Sequence, residues 1–508
     1  MFVDHLKQNW ERITSIYDLA AFCYDYLSIN IDDEALFLGK YIFENNESEE
    51  RNPNLEKLHS FLNQLIGIYE KDNVLFDMHK AQKNIQRRIE TLENELVEYG
   101  ETRNKQLSMA FFVLKSVDLF VCRNVRENTI TSPLNKAYEE ECYVYVNLCD
   151  SMIDDAMEEL KFSGIICAPS IRSQLLHLNI VEKKDIPNPD TMEVPKVVSL
   201  YVSKNDEKRQ RILAGKKIKI AVIPFCKYKM LDFPPVKGAL FRVEYNEWHQ
   251  IHGKAWALHL LELAIDKKAN IILFPEYVCS EEIQDAIGQR LKDLSEENPR
   301  RLQQLLLVVA GSGWTKDDNN ISKIYSYNGK LLEKNYKYAS YASRDNELIE
   351  NLQNRGKETT IVEIPGVGRC LIGICRDISD RSYSKRLTEL FVPQFLFVPA
   401  WSPSVHNGFK KQFDEVTQYN HKTSSILCNC CEAMGSDENF KEDIGMTVIP
   451  YKAGSTIEGA EKVMKRKKEK CTEKCKTGGC VYMLSLDYSV ESVRKKSVLK
   501  RPKQFFCQ

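Results

Sequence analysis

The chain has 508 residues, a formal net charge of -1, 43% hydrophobic residues and 28% charged residues. That length exceeds one ordinary core and predicts two or three domains, and the composition excludes a disordered chain. A charge this close to zero argues against a general polyanion binder, so nucleic acid is not an expected partner.

The N-terminus, MFVDHLKQNWERITS, lacks the basic, then apolar, then small-residue order of a signal peptide. The sixteen cysteines are scattered, without the spacing of a secreted disulfide framework. Together these lead us to expect reduced thiols and a cytoplasmic protein.

Residues 1–182 are expected to form a mainly helical domain. Ile85, Ile89, Leu92, Leu96 and Tyr99 recur at heptad spacing for about two heptads. One helix packed on its own domain would produce this, and so would a helical arm or a dimer contact. The longest apolar run, AFFVLKSVDLFVC at 110–122, is interrupted by Lys115 and Asp118. It reads as a buried helix and not as a membrane span. EEECYVYVNLCDSMIDDAMEELKFSG continues the helical character, with Asp154 and Asp155 on a solvated face. A helical region of this size suggests a regulatory, assembly or protein-partner module.

The prolines of KKDIPNPDTMEVPK and the charges of SKNDEKRQRILAGKK mark 183–217 as a linker. After it the texture changes. IKIAVIPF, NIILFPE, QLLLVVAG, CLIGIC, QFLFVPA, SSILCN, MTVIPY and VYMLSLD are strand-length apolar runs. Helical patterns such as EYNEWHQIHGKAWALHLLELAIDKKA separate several of them. Apolar strands alternating with helices predict an α/β domain with a buried sheet over 218–495. Within it, 458–480 reads as a basic insertion carrying Cys471, Cys475 and Cys480, and 496–508 as a basic tail. Three cysteines near Gly478-Gly479 could hold zinc, but the spacing is no standard knuckle and a fourth ligand is missing. A reduced, exposed loop is expected there, and no metal.

In an α/β domain, chemistry collects where strands end. NIILFPE ends in Glu276 and CLIGIC in Cys375, while YSYNGKLLEKNYKYAS reads as a hairpin turning at Asn328-Gly329 and leading to Lys337. These three residue types suit one another. A carboxylate can take the thiol proton during attack. A lysine can stabilise the anion of a tetrahedral intermediate, helped by the backbone N–H of Arg376. This is acyl transfer through a covalent intermediate, and it calls for no cofactor.

In order and context these stretches resemble the nitrilase, or carbon–nitrogen hydrolase, superfamily, whose catalytic triad is Glu-Lys-Cys. NIILFPE, NGKLLEKNYKYAS, LIGICRDIS and LFVPAWS resemble its successive motifs, with Asp377 as the acid accompanying the nucleophile. The likeness covers about 218–495. It implies a four-layer α-β-β-α sandwich and homo-oligomers, either dimers or larger spirals and filaments. It also implies hydrolysis of a small-molecule amide, ahead of a nitrile or carbamoyl compound. Many members carry a second glutamate between the lysine and the cysteine, and Glu347 and Glu350 both lie in that interval. Trp401 and His406 fall where the family's substrate pocket tends to be. Arginine at 376 departs from the family pattern; its guanidinium could act on the thiol, bind an anionic substrate or pair with a nearby acid. The competing reading is a silent or gated scaffold for oligomerisation or signalling, an architecture that would also suit a bacterial defence or stress system.

Overall fold

The computed structural model describes residues 2–31 apart from 10–11 and 14–15; parts of 106–121 and 135–146; 171, 175 and 178–186; 195–343 apart from 204, 216 and 226–229; 348–431 apart from 421–422; 443–465 apart from 454–455; and 479–488, 499–500 and 502–506. The heptad segment, the Asp154-Asp155 pair, Glu347, Cys471 and Cys475 lie outside the described residues. The chain divides into two compact units, Met1–Leu148 with Ile166–Asp185, and Cys149–Ile165 with Ile186–Gln508.

The first unit is not purely helical. Helices Phe2–Gln8 and Ile16–Asn30 are joined by a three-stranded antiparallel sheet of Asn135–Tyr138, Cys142–Val146 and Leu178–Glu182. CYVYV was expected to continue a helix. Its alternating β-branched and aromatic residues instead suit a pleated strand half-covered by a core, with Val144 and Tyr145 buried. The described residues of 106–121 are helical, and most are buried.

Two large sheets dominate the second unit. The first has the order β5-β6-β4-β3-β2-β14-β15, with β7 paired to β6. Its strands are β2 (Lys217–Val222), β3 (Ile271–Leu273), β4 (Leu307–Val309), β5 (Gly313–Trp314), β6 (Asn320–Ser326), β7 (Leu331–Tyr336), β14 (Cys480–Asp487) and β15 (Lys503–Phe506). The second runs β13-β12-β11-β10-β9-β8-β1. It is built from β1 (Lys196–Ser199), β8 (Thr360–Ile364), β9 (Gly368–Ile372), β10 (Phe395–Ala400), β11 (Ser424–Asn429), β12 (Asp443–Ala453) and β13 (Thr456–Lys465). In each sheet the central strands are parallel: β2, β3 and β4 in one, and β9, β10 and β11 in the other. Parallel strands covered on both faces must be apolar almost throughout, which is why the apolar runs of the sequence fall on them.

One hydrophobic cluster takes residues from both sheets, among them Ile220, Val222, Ile271 and Val309 from the first and Ile372, Phe397 and Ile426 from the second. On its other face the first sheet buries Ala221, Ile272 and Val308 against helices α2 (Lys254–Asp266) and α3 (Glu281–Glu297). Helix α5 (Val405–Asn420) packs across β11, β12 and β13, with α4 (Arg381–Phe391) beside it.

Three segments differ from their expected roles. Residues 183–217, read as a linker, supply β1 to the second sheet and helix α1 (Glu207–Ala214). The described part of the 458–480 insertion is strand: β13 forms a hairpin with β12, and Cys480 begins β14, fully buried, with its Sγ accepting from Gln504 Nε2 at 3.4 Å. The tail at 496–508 adds β15 to the edge of β14. Lysine-rich strands read as loops because their apolar alternation is weak, and an edge strand tolerates that charge. Among the described residues no helix is long and apolar enough to cross a membrane, and no group of three or more His, Cys, Asp or Glu is placed to hold a metal ion.

Candidate active site

The strand ends of the two sheets meet at Glu276. Its backbone N–H donates to the Ala400 carbonyl at 3.3 Å, and its Oε2 accepts from the Trp401 N–H at 2.9 Å. The end of β3 is thereby tied twice to the end of β10. Gly311 stands behind this segment at φ 66°, and a Cβ there would collide with the Pro275 carbonyl. The glycine therefore lets the Pro-Glu turn lie against the loop after β4.

Lys337 follows the β6–β7 hairpin, which turns at Asn328-Gly329 with Gly329 at φ 79°. Its Nζ lies 2.7 Å from Glu276 Oε1 and 2.6 Å from Glu350 Oε2, and all three side chains are buried. The Glu350 carboxylate also accepts from the Tyr341 N–H at 2.9 Å. Asn320, which pattern reading overlooks, joins the pair: its Nδ2 donates to Glu276 Oε1 at 3.0 Å and to Glu350 Oε1 at 3.2 Å. Two carboxylates thus share one cation and one amide.

Cys375 follows β9 and opens a short 3-10 turn, Cys375–Ile378, at φ 47°. A β-carbon in the left-handed region carries strain, on the order of 1–3 kcal/mol. Its Sγ is 4.0 Å from the Trp401 carbonyl, and the residue is 7% exposed. Asp377 braces the turn. Its Oδ1 accepts from the N–H groups of Tyr338 and Ala339 at 2.9 and 2.7 Å, and its Oδ2 from Ile374 at 2.8 Å. One buried carboxylate thereby clamps the strand end that delivers Lys337 to the turn that delivers Cys375.

The charges act on one another. Burial raises Glu276 above the usual carboxylate range; Lys337 pulls it back and the Glu350 charge pushes it up again. A single shared cation does not neutralise both acids. Burial works against the Lys337 ammonium, but Glu276 and Glu350 outweigh it and keep the lysine charged. Burial and the Glu276 charge raise the Cys375 thiol well above its ordinary value, with Lys337 opposing them. The resting sulfur is therefore a thiol, and attack requires a base. Burial pushes Asp377 up to about 7, against its three N–H donors and Lys337.

Of the sequence-predicted residues, Glu276, Lys337, Cys375 and Glu350 come together. Trp401 joins them through its backbone, while its ring lies beside Phe233 and Tyr277 with centroids 6.1 and 6.3 Å away. His406 does not join them. It sits on α5 with its Nε2 2.9 Å from Glu461 Oε1 on β13, and none of its contacts among the described residues is with the Cys375 group. Arg376 is exposed, and its guanidinium makes no salt bridge among the described residues.

Asp377→Ala strands the buried Ile374 N–H, at about 1–3 kcal/mol, and two part-buried N–H donors that cost less. The expected result is a thermal midpoint well below that of Asp377→Asn, which keeps an acceptor oxygen for Tyr338 and Ala339. Equal midpoints for the two variants would remove the clamp from the account.

No protein-family model and no curated protein matches the chain. Among solved structures it is similar to amidases of the nitrilase superfamily. An amidase from Nesterenkonia sp. aligns at 13% identity over 50% of this chain and 92% of that one, with a TM-score of 0.32. Saccharomyces cerevisiae Nit3, a member of branch 10 of the nitrilase superfamily, aligns at 15% identity over 57% and 97%, with a TM-score of 0.35. At these scores the likeness adds no weight to the geometry, which stands by itself.

Proposed function

We propose that the second unit is a nitrilase-superfamily carbon–nitrogen hydrolase of the amidase type, with Cys375 as nucleophile. The observation that carries this reading is the buried Lys337 ammonium held between Glu276 and Glu350, beside a cysteine in a strained turn. The shared inter-sheet cluster, with helices on the far side of each sheet, supports the four-layer arrangement that goes with it.

Glu276 accepts the thiol proton as the sulfur attacks the amide carbon, forming a C–S bond and a tetrahedral anion. The Lys337 ammonium and the Arg376 N–H stabilise that anion. The protonated Glu276 returns its proton to the leaving nitrogen as the C–N bond breaks, releasing ammonia or an amine and leaving a thioester. Water, deprotonated by Glu276, then attacks the thioester; the acid leaves and the thiol is restored. Glu350 holds Lys337 charged and in place, and the rings of Phe233, Tyr277 and Trp401 pack together beside Glu276, to which the Trp401 backbone N–H donates. Homo-oligomers and an N-terminal partner module belong to the same proposal.

The direct test is denaturing mass spectrometry after brief exposure to small aliphatic amides, with ammonia release followed in parallel. An acyl adduct mapping to Cys375 is expected. No adduct and no iodoacetamide labelling at Cys375 would favour the silent-scaffold reading.

Two further results follow from the same chemistry. Glu350→Gln is expected to lower kcat about 100-fold with KM little changed, because Lys337 then leans on Glu276 and quenches the base. Glu276 must be ionised to act and its value is raised, so the acid limb of kcat/KM is expected above the usual carboxylate range, with Asp377 contributing near pH 7. A limb at an ordinary carboxylate value would contradict that role.

A further inference from the structure

Beside the nucleophile turn lies a cavity of about 800 Å³, lined in part by Tyr338, Asn354, Arg355, Lys357, Arg376 and Asp380. Cys375, Glu276, Lys337 and Glu350 do not line it. Three of its walls carry exposed cations, and none of Arg355, Lys357 and Arg376 has an ion-pair partner among the described residues. Arg290 and Arg301, by contrast, share Glu262, and Lys323 holds Asp285 and Glu281. The one acid in the wall is already committed. Asp380 caps α4, its Oδ1 accepting from the N–H groups of Ser382 and Tyr383 at 3.0 and 3.3 Å.

The cations are also held in place by their backbone. Gly356, at φ 58° and packed on the Tyr338 ring, donates its N–H to the Lys337 carbonyl at 3.0 Å. The Asn354 N–H donates to Asn319 Oδ1 at 2.9 Å. Arg355 and Lys357 therefore flank a pinned residue, and Arg376 rises from the Asp377-braced turn. Like charges gathered on fixed backbone around a concave surface repel one another unless an anion sits between them. Guanidinium groups match the paired oxygens of phosphate and carboxylate, and a cavity of this size takes a small molecule.

We propose that this cavity is a binding site for a multiply charged oxyanion, a phosphate-bearing or polycarboxylate small molecule, distinct from the Cys375 group. The site stands whether or not the hydrolase reading does.

The test is isothermal titration of the full chain at low salt with pyrophosphate and, separately, citrate. Saturable one-site binding of at least one probe is expected, weakening as sodium chloride rises from about 50 to about 300 mM. The double variant Arg355→Gln/Lys357→Gln, checked for an unchanged thermal midpoint, should bind at least about tenfold more weakly, and Arg355→Gln alone by an intermediate amount. Cys375→Ala should bind as the parent does. Preference for pyrophosphate assigns a phosphate-bearing ligand, and preference for citrate a polycarboxylate. Absence of saturable binding with both probes, or binding undiminished in the double variant and the single variant, overturns the proposal.

Discussion

Cys375→Ala is expected to abolish amide turnover, lowering kcat by about 10⁴–10⁶-fold, since it removes the thiol that forms the covalent intermediate. The same position offers a second readout that does not depend on finding the substrate. Cys375 sits at φ 47°, where any side chain is strained and glycine is not. Cys375→Gly should therefore be as inert as Cys375→Ala and yet more stable, by about 1 kcal/mol. Denaturant midpoints of the two variants measure the difference directly. If alanine proved the more stable, the turn would not be strained as described, and the sulfur would lose the geometric reason for standing out from β9.

Lys337→Met should damage activity and stability together. It removes the oxyanion donor, worth about 10²–10³ in kcat, and leaves Glu276 and Glu350 buried together without a cation. Breaking a buried pair from one side costs about 3–5 kcal/mol. The penalty depends on pH, and its sign is fixed. Glu276 already stands above the usual carboxylate range, and without the ammonium nothing pulls it back, so its charged form opposes folding at high pH. Stability returns as pH falls through that raised value and Glu276 takes up a proton. The urea midpoint of Lys337→Met should therefore trail the parent badly at about pH 8 and much less at about pH 5. Adding Glu350→Gln should restore part of the loss at the higher pH. A deficit that is the same at both values would mean that the two glutamates do not share this lysine.

Much of the second unit was legible because its central strands are parallel and covered on both faces. IKIAV, IIL, LVV, FLFVPA and SSILCN stand out as apolar runs for that reason, and Glu276, the proposed base, comes just after IIL. The hairpin was legible for a different reason: Asn328-Gly329 fixes a turn, and a turn fixes a register. That register also held an unread clue. Ile321 faces Tyr336 in the ladder, so Asn320 must face Lys337, and the Lys337 N–H indeed donates to the Asn320 carbonyl at 2.9 Å. Counting outward from the turn would have found the amide that bridges both acids.

Other features are written in contacts between distant segments. Glu350 is set in place because Ile349–Glu350 pairs in parallel with Leu240–Phe241, a partnership about a hundred residues away that no local pattern announces. His406 looked suited to the pocket from its place after Trp401. It lies instead on α5, where His406 and Lys410, one helical turn apart, both reach Glu461. The strands of the first unit and β1 of the supposed linker are short and mixed in character, and they become strands only through the neighbours they meet.

The order in which the chain is made gives the placement of β14 a further meaning. This strand, Cys480–Asp487, lies against β2, Lys217–Val222, so one of the earliest strands of the first sheet waits for one of the last. A growing chain that has already made Glu276, Lys337 and Cys375 still carries β2 with an open edge, ready to pair with the wrong strand. Premature termination anywhere before residue 480 leaves that edge bare, and such fragments should be insoluble or degraded, not partly active. Assembly of the first sheet is in this sense a sign that translation has passed residue 487.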